Sequence, residues 1–307
     1  MYDVIIIGAG ASGVILGDHL KNNAKILLLE ATSDVGGRIK TEYICDQPIN
    51  LGASYLHLNK REETFFSRNM INSLIPLHNK YNPTKEIKLD KVSGGQWLPV
   101  IYATWYDKNG CQVSTEFKKN VVNQITMQKY ANKDSIKWEK CIWKRYTGYN
   151  CDISEVKKHN PIYGVDVNKI FELKDTLFRN NDLYVNGDFQ QIFKTLVKNS
   201  KLNIKYNSYV NKIINNDNHV EIHYTETINN CKKEHIIKTR HIVVTTSIGV
   251  LKNKYINFYP ELPGNLIESI ERIKFGYHNK VVVVLKGKID FDRYFIIEDS
   301  NIYWMTN

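Results

Sequence analysis

Residues 4–38 read VIIIGAGASGVILGDHLKNNAKILLLEATSDVGGR, and this stretch leaves the chain few folds to choose from. Residues 4–7 are apolar and β-branched without alternation, the pattern of a parallel strand buried on both faces, which needs helices to cover it. Gly8, Gly10 and Gly13 follow directly in G-x-G-x-x-G spacing. The first suits a tight turn, the second lets backbone approach a pyrophosphate, and the third permits close helix–strand packing. The helix predicted over 11–22 would then aim its N-terminal amides and positive dipole end at phosphates. A second apolar strand, 25–29, leads to Glu30, twenty positions beyond Gly10. A carboxylate there accepts hydrogen bonds from ribose hydroxyls and repels a 2′-phosphate. Strand, glycine turn, helix, strand and acid, in that order, predict a dinucleotide-binding unit and disfavour NADP.

The rest of the composition bounds the setting. A chain of 307 residues, 42% hydrophobic, has room for about two domains with substantial cores. No apolar run approaches the length of a membrane span. The first strand starts at Tyr2 with no basic segment before it, so no secretory signal is expected. Cys45, Cys111, Cys141, Cys151 and Cys231 are scattered, with no C-x-x-C pair, which fits reduced thiols in a cytoplasmic or nuclear setting. The net charge of +10 comes from dispersed singles and doublets such as Lys118-Lys119 and Lys232-Lys233. No specific nucleic-acid partner is expected from so even a distribution, which reads as solvated surface.

Beyond Glu30 the sequence continues Ala31-Thr32-Ser33-Asp34-Val35-Gly36-Gly37-Arg38. With Glu30 this resembles the E-A-x-x-x-x-G-G-R signature of the flavin-containing amine oxidases, the group of monoamine oxidases, polyamine oxidases and lysine-specific histone demethylases. The resemblance implies FAD as cofactor. By it, Gly8, Gly10, Gly13, Gly36 and Gly37 line the cofactor, Ser12 and Arg38 serve its phosphates, and Glu30 serves its ribose. The segment Asn50-Leu51-Gly52-Ala53-Ser54-Tyr55 would bring Gly52, Ala53, Ser54 and Tyr55 beside the flavin ring. A guanidinium suits a pyrophosphate because its donors form a fork, and paired glycines let backbone lie close to a flat ligand. Thr32 departs from the pattern, standing where a second basic residue is often found.

The resemblance resumes downstream. Leu183-Tyr184-Val185-Asn186-Gly187-Asp188 is similar to the family's G-G-x-x-x-L element, with Asp188 in place of the second glycine or, alternatively, starting a helix. Strands are expected over 203–206 and 209–214, with Val210 aligned to a residue whose backbone meets the adenine. A strand over 241–245 leads into Ser247-Ile248-Gly249-Val250-Leu251-Lys252, close to the family's P-L-G-V-L-K. Finally, Phe275-Gly276-Tyr277-His278-Asn279-Lys280-Val281 resembles G-F-G-x-x-x-K-V, in which the lysine holds a water near flavin N5. By that resemblance Lys280 is the catalytic candidate. Read without it, Lys280 is a polar residue ahead of a strand over 281–285. His57 and His278 make no metal motif and are read as structural or surface residues.

These anchors give an α/β fold: a Rossmann-like FAD-binding domain from residues 1–58 and 182–258, interleaved with an α+β substrate-binding domain from 59–181 and 259–307. Helices are expected over 62–74, 115–131 and 134–145. Asp107-Lys108-Asn109-Gly110 signals a hairpin, and a further strand is expected over 302–305. The family's closing C-terminal portion, with aromatic residues facing the flavin, is not recognised before Asn307. The resemblance implies hydride transfer from a small-molecule amine, a polyamine or related compound, to flavin N5, with O2 reoxidising the flavin to give H2O2. Two alternatives remain open: a noncatalytic binding protein on a flavoprotein fold, and an FAD-dependent desaturase or protoporphyrinogen-type oxidase.

Overall fold

The structure, a computed structural model, describes residues 1–56, 65–92, 104–106, 109, 111–117, 182–273, 280, 282, 284, 286, 294–297 and 303–304. The chain forms two compact units: one from Met1–Leu58, Glu63–Lys91 and Leu183–Ile273, the other from Asn59–Glu62, Val92–Asp182 and Lys274–Asn307. Residues 63–91 and 259–273 thus pack with the first unit, whereas the sequence anchors set its boundaries at 58 and 258.

The first unit begins with β1 (Tyr2–Ile7), α1 (Ala11–Leu20) and β2 (Ile26–Leu29). A hairpin of β3 (Thr41–Ile44) and β4 (Gln47–Asn50) follows, then β5 (Tyr55–Leu56), α2 (Phe65–Asn69), a π-helical turn over Met70–Leu74, α3 (Ile75–Tyr81) and β6 (Lys88–Val92). Pro76 has no N–H to donate, and the widened turn ends just before it. Thr104–Tyr106 forms β7 in the second unit. The chain returns to the first unit as β8 (Asp182–Asn186), α4 (Phe189–Ser200), β9 (Ile204–Lys205), β10 (Ser208–Asn215), β11 (Val220–Ile228), β12 (Cys231–Val244), α5 (Ile248–Lys252), β13 (Asn257–Tyr259) and α6 (Gly264–Arg272). In the second unit, β14 (Tyr294–Ile297) pairs parallel to β7 and antiparallel to β15 (Tyr303–Trp304).

The main sheet has the order β13-β10-β11-β12-β1-β2-β9. Its parallel part places β1 between β2 and β12, with Val4 opposite Ile26 and His241, and sets β9 outside β2. This is the strand order expected of a dinucleotide-binding half, and it puts the glycine turn at the carboxyl ends of three strands. Side-chain alternation explains the burial. Ile6 and Leu28 point into one core with Val14, Phe189, Ile192, Phe193 and Leu196, so α1 and α4 cover that face. Ile5, Ile7, Leu27 and Leu29 point the other way, onto Val210, Ile213, Val220, Ile222 and Tyr224.

That second face corrects an expectation. The buried strands called for helices, yet β10, β11 and the first half of β12 provide the cover. β12 is long enough to do both jobs: residues from Cys231 to Thr239 pair antiparallel with β11, and Thr239 to Val244 pair parallel with β1. The turn between β11 and β12 carries Asn229 and Asn230 with φ of 48° and 63°, the left-handed pair that a two-residue hairpin requires.

The strand expected over 281–285 is not seen among the described residues: Val282 and Val284 have no strand pairing and are exposed. Most of the 115–131 helix, the whole 134–145 helix and most of the 107–110 hairpin fall outside the described residues, as do His57 and His278.

Phe193, on α4, is fully buried in the core it shares with Val14 of α1 and with Ile6 and Leu28 of the sheet. Phe193→Ala is expected to cost about 3–5 kcal/mol, whereas Leu266→Ala on α6, where the side chain is 45% exposed, changes stability by about 0.5 kcal/mol or less. The two shifts are read from the midpoints of chemical denaturation.

Candidate functional site

The glycines of the first turn divide by what their missing side chains are for. Gly8 has φ +99°, a conformation only glycine adopts without strain, and its amide closes the turn on Leu29 O at 2.8 Å. A Cβ on Gly13 would meet Gly8 O at 2.0 Å, so the helix could not sit this close to the strand turn. Gly10 is different. Its backbone (φ −69°, ψ 179°) suits any residue, and a Cβ there would find no atom of the described residues within 4 Å. The chain's own conformation therefore does not demand glycine at 10. Gly10 is also the N-cap of α1 and offers no side-chain cap, so the first-turn amides of the helix are left without one.

The second glycine motif packs directly on the first. Gly10 and Gly36 form an isolated parallel bridge, Gly36 N donates to Ala9 O at 2.9 Å, and a Cβ on Gly37 would lie 3.3 Å from Gly10 Cα. Gly36 and Gly37 have φ of 109° and 59°. Arg38 comes next, exposed, and its guanidinium has no hydrogen-bond or ion-pair partner among the described residues. Ser12, in the first turn of α1, is likewise exposed and without one. A free guanidinium, a free hydroxyl and the amide end of a helix are the donor set that a pyrophosphate takes.

Glu30 directly follows β2 and is 8% exposed. Its carboxylate accepts from Ala9 N at 2.7 Å and from both Thr32 N and the Thr32 hydroxyl, at 2.9 and 2.8 Å. The strand behind it is fixed by Glu30 N to Lys205 O (2.9 Å) and by Ser208 N to Glu30 O (2.8 Å). These bonds bring the start of β10, and with it the buried Val210, to the same end of the sheet. Tyr206 lies there too. Its phenol is raised above the usual range by burial first, then by the negative charges of Asp34 and Glu30.

The 50–55 segment is held against these turns. Ala53 N donates to Arg38 O and Gly52 N to Lys40 O, both at 3.0 Å, and a Cβ on Gly52 would meet Arg38 O at 2.0 Å. Ser54 is buried, its hydroxyl on Asn50 O at 3.1 Å, and Tyr55 meets Tyr184 edge-on at 5.4 Å. Asn50 ties this segment to the later part of the chain: its amide donates to Val185 O and Gly187 O (3.1 and 2.9 Å), and its oxygen accepts from Phe189 N (3.1 Å) and Thr41 Oγ1 (2.7 Å). Asp188, one of whose two readings was a helix start, is the N-cap of α4 and accepts from Gln191 N at 3.0 Å.

Lys280 belongs to the second unit. The residue keeps solvent exposure, yet the protein around its ammonium desolvates it enough to lower its pKa from 10.5 to about 8.

Several contributors escaped the sequence reading because no motif marks them. Thr245 donates its hydroxyl to Ile7 O at 2.9 Å with Gly8 O 3.1 Å away, clamping the first turn from just beyond β12. Beside it, Thr246 Oγ1 is buried with no hydrogen-bond partner among the described residues. Gln190 on α4 donates to Val35 O at 2.6 Å and accepts from Thr41 N at 3.1 Å, bracing the second glycine turn.

The open space at Gly10 and the donors of Ser12 and Arg38, without partners among the described residues, have the chemistry that suits a dinucleotide's pyrophosphate. Gly10→Ala is therefore expected to change folding stability by no more than about 1 kcal/mol while weakening dinucleotide binding about tenfold or more. Gly13→Ala should compromise folding itself. Denaturation midpoints alongside cofactor titrations separate the two outcomes.

Comparison with known proteins agrees with this geometry. A family profile described as NAD(P)-binding Rossmann-like domain matches residues 6–68, and one described as Flavin containing amine oxidoreductase matches residues 128–306. Polyamine oxidase 5 of Oryza sativa subsp. japonica is 27% identical over 91% of this chain, and polyamine oxidase 4 of the same organism is 28% identical over 91%. The chain spans 58% of the length of each. Among solved structures, cyclohexylamine oxidase from Brevibacterium oxydans shares the fold with a TM-score of 0.53 at 16% identity, over 88% of this chain and 63% of that one. With more than half of its length matched to one profile, and with both glycine motifs in contact, the chain belongs to the flavin-containing amine oxidoreductase family.

Proposed function

We propose that this chain binds FAD and carries the oxidation of an amine, a polyamine or a related compound. The observation that carries the reading is the meeting of the two glycine turns at Gly10 and Gly36, with space over Gly10 clear of the described residues and with Arg38, next to Gly37, unpaired among them. The polyamine class is supported by relatives that are named polyamine oxidases.

In this reading, the first-turn amides of α1, Ser12 and Arg38 hold the pyrophosphate, and Glu30 takes the adenosine ribose. Gly8, Gly13, Gly36 and Gly37 keep side chains out of the way, Val210 meets the adenine through its backbone, and Gly52, Ala53, Ser54 and Tyr55 run beside the ring system. Residues 1–58 and 182–258 would contribute the FAD-binding part, and 59–181 with 259–307 the part that receives substrate. When bound, FAD accepts a hydride from the carbon next to an uncharged amine nitrogen and passes the electrons to O2. The chain's share is orientation and exclusion of water. Lys280 would hold a water close to the reacting edge, where charge acts in a low dielectric.

A visible flavin spectrum in the purified chain, or its recovery after adding FAD, tests the cofactor. A chain that stays colourless with FAD present overturns the reading. Anaerobic bleaching of the bound flavin by a polyamine, and not by apolar substrates, tests the amine assignment.

Lys280 gives a pH signature. Because its folded-state pKa is about 8 against 10.5, the folded chain loses that proton at a pH where the unfolded chain still keeps it. Stability attributable to this site is therefore lowest below about pH 8 and rises toward pH 10.5. In Lys280→Met that rise is expected to disappear from the denaturation midpoints. Flavin reoxidation should slow, and its inflection near pH 8 should be lost, with FAD still bound. Unchanged kinetics would remove the role given to Lys280.

A further inference from the structure

An ionised carboxylate offers four in-plane acceptor directions, two on each oxygen. At Glu30 the chain fills three of them itself. Oε1 receives the Thr32 amide at 2.9 Å and the Thr32 hydroxyl at 2.8 Å, and Oε2 receives the Ala9 amide at 2.7 Å. The Thr32 hydroxyl also lies 3.0 Å from Asp34 O. It has one proton to give, and the carboxylate, nearer and charged, is the stronger acceptor. Among the described residues no other donor reaches the carboxylate, so one acceptor direction remains, and it is on Oε2.

We infer that Thr32 limits Glu30 to a single ribose hydroxyl, so that the adenosine end of the site reads one of the two vicinal hydroxyls through Oε2 and leaves the other unread. Thr32 is then a positioning residue that sets how the ribose is recognised. The inference rests on the FAD reading above and deepens it. The local structure supports a clean test. Thr32 is exposed, so shortening or replacing its side chain opens no cavity. Its backbone is held independently, because Asn207 N donates to Thr32 O at 2.9 Å. Removing the hydroxyl alone leaves the Thr32 and Ala9 amides in place and returns one acceptor direction to Oε1, giving each oxygen one.

The experiment is a binding titration of the full chain, followed by flavin fluorescence, with FAD and with two analogues lacking the 2′- or the 3′-hydroxyl of the adenosine ribose. In the wild-type chain, loss of one hydroxyl is expected to weaken binding about tenfold or more and loss of the other less than about threefold, since only one is bonded to the carboxylate. In Thr32→Val both analogues are expected to bind more weakly than FAD by more than about threefold, and in Thr32→Ser, which keeps the hydroxyl, the wild-type asymmetry returns. Losses within about threefold of each other in the wild-type chain, or a Thr32→Val pattern identical to wild type, overturn the inference while FAD binding itself stands. Failure of the wild-type chain to bind FAD at all overturns the cofactor reading, and the inference falls with it.

Discussion

A buried carboxylate has to be surrounded by donors, and much of the first unit can be understood as meeting that condition at Glu30. An ionised group at 8% exposure is costly unless hydrogen-bonded, and the two nearest sources of N–H are the glycine turn after β1 and the loop after β2. Ala9 and Thr32 supply them. Satisfying Glu30 therefore fixes the glycine turn relative to the second loop, and that loop carries Gly36 back onto Gly10. Hydrogen bonds to a charged group contribute about 1.5–3 kcal/mol each, so the arrangement is held more firmly than glycine-rich backbone would be alone.

The same end of the sheet is braced from parts of the chain far away in sequence. Thr245 reaches the first turn, Gln190 the second, and Asn50 joins the end of β4 to Thr41 of β3, to Val185 of β8, to Gly187 and to Phe189 at the start of α4. Each of these side chains satisfies backbone groups that glycine-rich turns leave exposed to competition from water. The consequence is a cradle whose backbone is braced by the chain itself, with the Ser12 and Arg38 side chains without hydrogen-bond partners among the described residues.

The parts of this that were legible from residues alone were those with a fixed spacing. The strand–turn–helix–strand unit, Glu30 and the Gly36-Gly37-Arg38 turn lie within forty residues, and their geometry is dictated locally by φ and close approach. Asp188 could be read two ways because an acid after glycine fits both a motif variant and a helix cap; the bond to Gln191 N decides for the cap. The cover over the second face of β1 and β2 was misread because burial demands an apolar partner without saying whether a helix or a sheet supplies it. The roles of Thr245, Gln190 and Thr32 were invisible since each depends on a partner at tertiary distance, or on which of several polar atoms it chooses. Asn50 stood in a recognised segment, but its four-way bonding could not be inferred from the segment.

The long β12 strand also has a bearing on when the site can exist. β1 pairs with it across a separation of about 237 residues, and the clamp from Thr245 to the first turn spans 238. Contacts that distant are entropically expensive to form first and slow to find. The glycine turn at the start of the chain is thus synthesised early and completed late: during translation β1 and β2 emerge with one flank of β1 and one face of both strands uncovered, and they remain so until residues beyond 240 have left the ribosome. The first turn, made among the earliest residues, therefore takes its braced form only once β12 and Thr245 have been made, whatever it goes on to hold.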